Sequence, residues 1–544
     1  MFAQSETATP AWVDDLMRNE AAEGVHSIAG GAAVSDSYEA AHRGMITVSI
    51  MLATVIQAID GTIANVALPH MQGSLSASQD QITWVLTSYI VAAGIATPLT
   101  GWLTDRFGLK QVFLVSIAGF TGASVLCGVA GSLAQIVVAR VLQGFLGAAL
   151  VPLSQAVLLD INPRERHGTA MAMFGVGVMV GPILGPALGG YLTENFNWRW
   201  VFFINVPIGS LAFYGVGRYI RRRAPARRVS FDMFGFTTLS LAVGALMLLL
   251  NRGEQNDWFG STESWVEAVI VVASTAYFVT HTALTPVGKS FLDYRLLKNA
   301  NFVSGTLLMF FVGAIVFSTR ALLPTMLQDL LDYPVSLAGL VTAPSGIGTM
   351  LAMMVAGRFV GRVDVRWLLG IGFGITTISL WQMLQYNREI TQGEIIWPGV
   401  VQGIGMGAVF VPLTTATFAT LASEMRADGT AIYSLFRNIG SAVGIAVVNV
   451  LLVRNTQIAH AGLVENIAAA NKDLLHGPLA SAFNLAQPGT LALIDAMVTR
   501  EAAMIAYIDD FLFLLVMTLM AFPLLMFMRT PRSLRAAAAT PVID

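Results

Sequence analysis

Apolar runs of about 20 residues recur along the whole chain, and they restrict its possible folds more than any other feature. A run of this length forms a helix that crosses the ~30 Å hydrocarbon core of a bilayer. Inside that core every backbone polar group needs an internal hydrogen bond, which a helix provides. The 544 residues are 55% hydrophobic and 12% charged, whereas soluble domains carry about 25% charged residues. The sequence therefore predicts an all-α membrane protein.

Fourteen of these runs are predicted to span the membrane, namely 46–68, 81–101, 111–130, 134–156, 168–191, 201–219, 232–250, 265–285, 301–324, 337–357, 366–385, 395–416, 430–453 and 508–528. If the N-terminus is cytosolic, most Lys and Arg residues fall in loops on the cytosolic side, as is typical of membrane proteins. A missed span would reverse the side of every later loop. We therefore expect fourteen spans with both termini in the cytosol.

An internal repeat indicates two related halves. GAALVPLS at 147–154 returns as GAVFVPLT at 407–414, and a Gln-Gly pair precedes each copy. Duplicated halves are common in transporters, where the substrate path lies between them. The predicted organisation is a cytosolic tail (1–43), a six-helix bundle (44–228), two extra central helices (229–290), a second six-helix bundle with a long periplasmic loop at 454–507 (291–530), and a cytosolic tail (531–544).

Patterns typical of enzymes and ATP-driven pumps are missing from the sequence. It has no Walker A motif, and its seven His residues form no metal-ligand pair on one helix face. No set of residues resembles a catalytic or nucleic-acid-binding site. We therefore expect neither enzymatic activity nor a cofactor, metal or nucleic-acid partner.

The first predicted cytosolic loop, 101–110, combines glycines with a pair of opposite charges. Gly101 and Gly108 permit a tight turn between two spans, and Asp105 and Arg106 can hold neighbouring helix ends together. A carboxylate near a helix N-terminus is also favoured by the helix dipole. The alternative is an ordinary basic turn that only sets topology.

A stripe of small residues runs along one face of the fifth predicted span. Glycines at every fourth position let another helix approach closely, and the prolines beside them allow bending. This sequence pattern does not distinguish a groove that only packs two helices from a groove at a moving gate. The residues are Gly177, Gly181, Pro182, Gly185, Pro186 and Gly189.

Charged side chains inside predicted spans are usually paired or functional, because an isolated charge there is costly. Asp60 lies in the first span and Arg140 in the fourth. Burial favours the neutral carboxyl and a nearby guanidinium favours the carboxylate, so a carboxyl that moves between such environments takes up and releases a proton. The alternative for Asp60 is a fixed structural ion pair.

Other polar and aromatic side chains inside spans are candidates for a substrate cavity. Arg437 either lines that cavity or extends to the cytosolic interface. Arg320, near the outer end of the ninth span, is expected to extend to the outer interface. The cavity candidates are Gln57, Asn65, Gln143, Phe174, Gln402, Arg437 and Asn438.

Several of these segments together resemble the major facilitator superfamily, and within it the fourteen-helix drug/proton antiporters of the EmrB/QacA type. Residues 101–110 are similar to motif A, 140–152 to motif B, and 177–190 to the antiporter motif C. DGTIANVALP at 60–69 is similar to the acidic first-helix motif of this branch. Further support comes from PLTGW (98–102), WVFFINVPIG (200–209), NRGEQNDWF (251–259) and VPLTT (411–415).

The resemblance implies a major facilitator fold and a proton-driven multidrug efflux pump of the bacterial inner membrane. Asp60 would then be the proton-coupling acid with Arg140 as its partner, and Asp105 would stabilise a cytosolic gate. The proton gradient would drive export of small hydrophobic substrates, with a periplasmic adaptor (EmrA-like) and an outer-membrane channel (TolC-like) as partners. Two positions, Leu109 and Arg320, depart from the family pattern.

Two other functions remain open from the sequence. One is export of a single endogenous metabolite, such as a lipid or a siderophore. The other is a membrane receptor or scaffold without transport, which the glycine stripe disfavours.

Overall fold

The computed structural model describes residues 11–221, 231–286, 290–292, 294–422, 425–476 and 488–528. Across these ranges the regular structure is helical, apart from one isolated bridge between Val360 and Val363. The predicted all-α class is confirmed.

The first bundle and the two central helices contain twelve of the described helices. They are α1 (Ala11–Ser74), α2 (Gln79–Ile82), α3 (Trp84–Ala96), α4 (Leu99–Phe107), α5 (Leu109–Val129), α6 (Leu133–Gly147), α7 (Leu150–Ile161), α8 (His167–Asn195), α9 (Trp200–Phe203), α10 (Asn205–Tyr219), α11 (Met233–Arg252) and α12 (Thr262–Leu284).

The second bundle follows with seven described helices. They are α13 (Arg295–Lys298), α14 (Ala300–Thr325), α15 (Val335–Phe359), α16 (Val365–Met383), α17 (Gln392–Ala419), α18 (Arg426–His476) and α19 (Pro488–Leu525). A π-helical turn at Met326–Leu330 continues α14.

Each of the fourteen predicted spans coincides with helix in the structure. Among the described residues, twelve helices are long and apolar enough to cross a membrane, or thirteen if the bent pair α3 and α4 is one span. The remaining predicted span corresponds to α16, which has 19 residues and includes Arg366 and Gln382. The count of fourteen therefore stays a prediction.

Prolines account for the interruptions in the second and fourth predicted spans. The helices α3 and α4 meet at 56°, and Pro98 stands between them. Proline lacks a backbone N–H and disfavours helical conformation in the residue before it, so a helix normally ends there. Pro152, in the first turn of α7, follows the short break between α6 and α7, which together form one span without a sharp bend.

The turn of 101–110 recurs in the second half. Gly108 leaves α4 with a φ of 85°, and Gly361 follows α15 with a φ of 88°. Residues with a side chain rarely adopt this conformation, so both turns need glycine. The internal repeat thus extends to backbone geometry, although the charges of the first turn are only partly repeated.

The two bundles meet chiefly where α8 packs along α15. Gly168 and Gly357 lie together near one end of this pair, and Gly346 lies against Ile183 toward the other. The helices α11 and α12 pack on each other, and α11 also contacts α3 and α18. The extra helices therefore lie outside the α8–α15 contact that joins the bundles.

The described residues of the predicted periplasmic loop at 454–507 are helical. Helix α18 continues to His476 and α19 begins at Pro488. The two extensions are linked by the side chains of His460 and Asp495, 3.0 Å apart. Polarity correctly separates this segment from the spans, but Ala, Leu, Glu and Gln are also good helix formers.

The described part of the predicted N-terminal tail is also helical. Helix α1 begins at Ala11 and continues without interruption into the first span. The start of the predicted tail, residues 1–10, and the predicted C-terminal tail, 531–544, lie outside the described residues.

Candidate functional site

The carboxylate of Asp60 lies on α1 with no solvent exposure, and three side chains donate hydrogen bonds to it. Arg140 Nη1 is 2.7 Å from Oδ2. Gln143 Nε2 and Asn205 Nδ2 each lie 2.9 Å from Oδ1. The structure thus brings Asp60 and Arg140 together, and the surrounding amides solvate the carboxylate.

Arg140, on α6, is held from several directions. Its Nε donates to the backbone carbonyl of Val85 at 2.9 Å, and its Nη1 also lies 2.8 Å from Gln143 Oε1. The guanidinium carbon lies 4.3 Å from the ring centroid of Tyr89. A cation over an aromatic face gains electrostatic energy, and more so when it is desolvated. These contacts fix the guanidinium independently of Asp60.

The role of Asn205 was missed by the sequence reasoning. It begins α10, and its Nδ2 also lies 3.0 Å from Ser124 Oγ. The signal was present in the sequence, because Asn205 belongs to WVFFINVPIG at 200–209. A buried amide in an otherwise apolar motif needs a partner, but only the fold shows that this partner is Asp60.

A buried ion pair of this kind contributes little net stability, because desolvation of both charges offsets their attraction. Its chemical significance is that the carboxyl of Asp60 has two forms, ionised and protonated. A proton on Asp60 would cancel the carboxylate and weaken its bond to Arg140, while Val85 and Tyr89 would still hold the guanidinium. The arrangement therefore links the charge of Asp60 to the contact between α1 and α6.

The glycine stripe of α8 packs against α1, the helix that carries Asp60. A methyl group at Gly181 would overlap the backbone carbonyl of Ala58, and one at Gly185 would overlap Thr62. Thr62 Oγ1 also lies 3.0 Å from the carbonyl oxygen of Gly181. Gly177 and Gly189 face Met51 and Ile63 of the same helix.

This close contact makes α1 and α8 a tightly fitted pair. Pro182 and Pro186 lie inside α8 without ending it. Since α8 is also the helix that meets α15 of the other bundle, displacement of α1 reaches the bundle interface through one helix. The packing groove is thus present, and its role in gating stays a prediction.

The two bundles also touch at the end that holds the turn between α4 and α5. We call it the basic end because it collects Arg106, Lys110, Arg166, Arg358, Arg362, Arg366 and Arg426. Gly101 lies directly against the carboxylate of Asp428, at the start of α18. Gly101 therefore has a steric reason to lack a side chain. Asp105 is half-buried on α4, and Arg106 is exposed.

An ion pair between the bundles at the basic end was not predicted. Arg426 Nη1 of α18 lies 2.6 Å from Asp160 Oδ1 of α7, and 3.2 Å from the carbonyl oxygen of Leu159. Both side chains are mostly buried, with 12% and 21% exposure. The pair links the two bundles at the basic end.

Replacing Asp160 by Asn is expected to favour opening at the basic end. Loss of a charge-assisted hydrogen bond of about 1–2 kcal/mol changes the ratio of closed to open molecules about 5- to 30-fold. Spin labels at Glu165 and Arg362, in a Cys127→Ser background, would report the distance between the bundles by pulsed EPR. The double exchange Asp160→Arg with Arg426→Asp should restore the wild-type distance between the labels. An unchanged distance distribution in Asp160→Asn would contradict a role of this ion pair in holding the bundles together.

The cavity candidates of the first bundle divide into three environments. Gln143 is completely buried in the Asp60 network, so its assignment to a substrate cavity is corrected. Gln57 Oε1 accepts a hydrogen bond from the backbone N–H of Val151 at 3.2 Å. Asn65 is exposed on α1.

The candidates of the bundle interface and second bundle are more widely spread. Phe174 is buried and stacks on Phe410 of the other bundle, with centroids 6.4 Å apart. Gln402 Nε2 donates to Thr319 Oγ1 at 3.0 Å. Arg437 Nη2 lies 3.4 Å from Asn438 Oδ1.

Arg437 lies well inside the bundle, since its backbone carbonyl faces Gly313 in the middle of α14. The expectation that Arg320 extends to the outer interface is wrong. Its Nη2 lies 3.1 Å from Met179 Sδ on α8 of the other bundle. The guanidinium therefore points across the interface between the bundles, a direction set by the rotation of α14.

Two related helical bundles, many apolar helices and an ion pair inside a span define a multi-pass membrane transporter. The chain belongs to the Major Facilitator Superfamily, whose family model matches residues 50–445. The major facilitator fold predicted from the motifs is confirmed.

Curated relatives place the chain more narrowly, among EmrB-like members of the superfamily. It is 34% identical to the fatty acid resistance protein FarB of Neisseria gonorrhoeae, over 86% of this chain and 92% of that protein. It is 35% identical to the multidrug export protein EmrB of Escherichia coli (strain K12), over 80% and 85%.

Solved structures agree on the fold. A bacterial homologue of the human lysosomal transporter Spinster, inward-facing and unoccupied, matches with a TM-score of 0.53 at 17% identity, over 90% of this chain and 98% of that one. The human organic anion transporter MFSD10 (TETRAN) matches with a TM-score of 0.55 at 12% identity, over 89% and 99%.

Proposed function

We propose that this protein exports small hydrophobic and amphipathic compounds across the bacterial inner membrane in exchange for protons. The observation that carries the proposal is the wholly buried carboxylate of Asp60, bonded to Arg140 inside the membrane-spanning part of the chain. Relatives named multidrug export proteins, matched over most of their length, support the substrate class.

The proton gradient is the proposed driver, with no cofactor. A membrane potential of 100 mV supplies about 2.3 kcal/mol for each proton moved. One proton per cycle would therefore support roughly fiftyfold accumulation of a neutral substrate, since 1.4 kcal/mol corresponds to a factor of ten.

The coupling step follows from the contacts of Asp60. Protonation weakens the bond to Arg140, which stays bound to Val85 and over Tyr89. Helix α1 is then free to shift against α8 along the glycine stripe. Because α8 packs on α15, this shift rocks the bundles against each other and exposes the substrate path to the opposite side.

The orientation of the protein in the membrane and its partner proteins are part of the same proposal. The basic loops favour both termini in the cytosol. A periplasmic adaptor and an outer-membrane channel would carry the substrate onward, as the family resemblance implies. The long extensions of α18 and α19 lie on the periplasmic side in this arrangement.

Replacing Asp60 by Asn is expected to abolish pH-driven transport while the protein stays folded. Asparagine keeps the shape of the side chain but cannot exchange a proton. The measurement is uptake of ethidium into inverted proteoliposomes under an imposed pH gradient, with melting temperature as the check on folding. The control is Glu254→Gln, which changes an exposed carboxylate between α11 and α12. Full retention of coupled transport in Asp60→Asn would refute the role of Asp60.

A second candidate is export of one amphiphilic carboxylate. It is favoured by the guanidinium of Arg320, directed at the other bundle, and by the relative named for fatty acid resistance. A susceptibility panel in an efflux-deficient host, covering cationic dyes, neutral antibiotics and long-chain fatty acids, separates the two. Protection against several unrelated drugs supports multidrug export, and protection against fatty acids alone supports the second candidate.

A further inference from the structure

A second carboxyl is buried in the other bundle, and the coupling step above does not use it. Asp510, on α19, has no solvent exposure. Neither of its side-chain oxygens has a hydrogen-bond partner among the described residues. This differs sharply from Asp60, whose two oxygens accept three hydrogen bonds.

The titratable groups around Asp510 offer it no positive charge. On its own helix the neighbours are Asp509 and Tyr507, and the π-helical turn after α14 contributes Asp329 beside Tyr507. From the end of α16, the ring of Tyr386 packs on Phe511 with centroids 5.8 Å apart. The polar group contributed by α18 is Asn455, which is bonded to Asp509 at 3.3 Å.

Two basic residues at this end of the bundle are bound elsewhere, and a third, Arg454 on α18, is exposed. Arg388 is paired with Glu501 at 2.7 Å. Arg500 is paired with Asp332 at 3.3 Å. The charged form of Asp510 therefore has neither a counterion nor a donor among the described residues.

An ionised carboxylate in such a position has a large free-energy cost, and a buried group avoids that cost by binding a proton. Like charge nearby acts in the same direction, because Asp509 disfavours a further negative charge. In the conformation described, Asp510 thus lacks the donors and the counterion that surround Asp60.

We propose that Asp510 is a second proton-binding site, which carries its own proton through the transport cycle. The coupling part rests on the proposed function, whereas the protonation of Asp510 does not. Rearrangement of α19 against α16 would admit water and release the proton. Gln382 Oε1 and Tyr386 Oη, also buried and unpartnered in the described structure, lie on the α16 side of this contact.

A second proton has a large effect on the gradient that the pump can maintain. At 100 mV one proton supports roughly fiftyfold accumulation, and two protons support roughly 2,500-fold. One titrating carboxyl in each bundle would let both bundles respond to the proton gradient.

The first test is infrared spectroscopy of the purified full chain in nanodiscs at neutral pH. A protonated carboxyl has a C=O stretch that is resolved from ionised carboxylates. Asp510→Asn should remove one component of this band, whereas Asp60→Asn and Asp509→Asn should leave that component unchanged. Persistence of the full band in folded Asp510→Asn protein would overturn the proposal. Folding is checked by melting temperature, and Asp510→Glu should restore the component.

The second test measures stoichiometry with ethidium as the probe. Valinomycin and equal potassium clamp the membrane potential of proteoliposomes at zero. A gradient of about one pH unit then balances about a tenfold dye gradient per proton exchanged. The wild type and Asp509→Asn should balance at about a hundredfold, and Asp510→Asn at about tenfold. Equal balance points for wild type and Asp510→Asn would overturn coupling through Asp510.

The two tests distinguish a failure of the proposed transport function from a failure of the proposed protonation of Asp510. If the wild type does not couple ethidium to the pH gradient, the proposed function fails for this probe. The infrared result still decides whether Asp510 holds a proton.

Discussion

Replacing Arg140 by methionine should destabilise the protein by about 3–5 kcal/mol, because it leaves the buried carboxylate of Asp60 without its counterion. Methionine fills much of the same volume, so the loss reports charge more than a cavity. The loss should shrink as the pH falls, since a proton on Asp60 removes the uncompensated charge. Denaturation of the detergent-solubilised protein at several pH values measures both effects.

The matched comparison is a double-mutant cycle with Asp60→Asn. Asp60→Asn alone should cost less, because Arg140 retains Val85, Gln143 and the face of Tyr89. The double variant should recover about 2 kcal/mol relative to Arg140→Met, since neither charge then remains. Strict additivity of the two single losses would show that the 2.7 Å contact carries no coupling energy.

Replacing Gly181 by alanine should impair both stability and transport. A methyl group there overlaps the carbonyl of Ala58, so α1 and α8 must separate. Overpacking of this kind costs about 1–3 kcal/mol, which equals or exceeds the ~1 kcal/mol that alanine gains over glycine in a helix. Asp60 follows Ala58 by two residues, so its position relative to Arg140 should change as well. Melting temperature and pH-driven ethidium transport measure the two consequences.

Gly190 is the matched control for Gly181. It lies on the same helix, and a methyl group there meets no atom within 4 Å. Gly190→Ala should therefore be neutral or slightly stabilising, with normal transport. If both variants behave alike, the effect at Gly181 comes from helix propensity and not from contact with α1.

The membrane class and the two-bundle plan were predictable because they depend on local properties. Each apolar run is long enough to cross the bilayer, and nothing but a helix satisfies its backbone there. The predicted turn at Gly108 also depends on a local property, because the positive φ of this residue requires glycine. The helical extensions beyond residue 454 were missed, because polarity alone does not distinguish a loop from a solvated helix.

Contacts between helices were only partly predictable. An acid and a base inside spans each need a partner, which made Asp60 and Arg140 a reasonable pair. The direction of Arg320 and the partners of Gln143 depend on how each helix is rotated about its axis. The same is true of Asp160 and Arg426, which lie 266 positions apart in the chain.

The sequence by itself determined that this protein is helical, spans a membrane and carries charges inside it, because hydropathy and the backbone's need for hydrogen bonds act segment by segment. The tertiary structure decided which of those charges are compensated. Asp60 has three donors and Asp510 has none among the described residues. Two aspartates of the same chemistry therefore have different surroundings, and the free energy of a buried carboxylate depends on what the neighbouring helices place beside it.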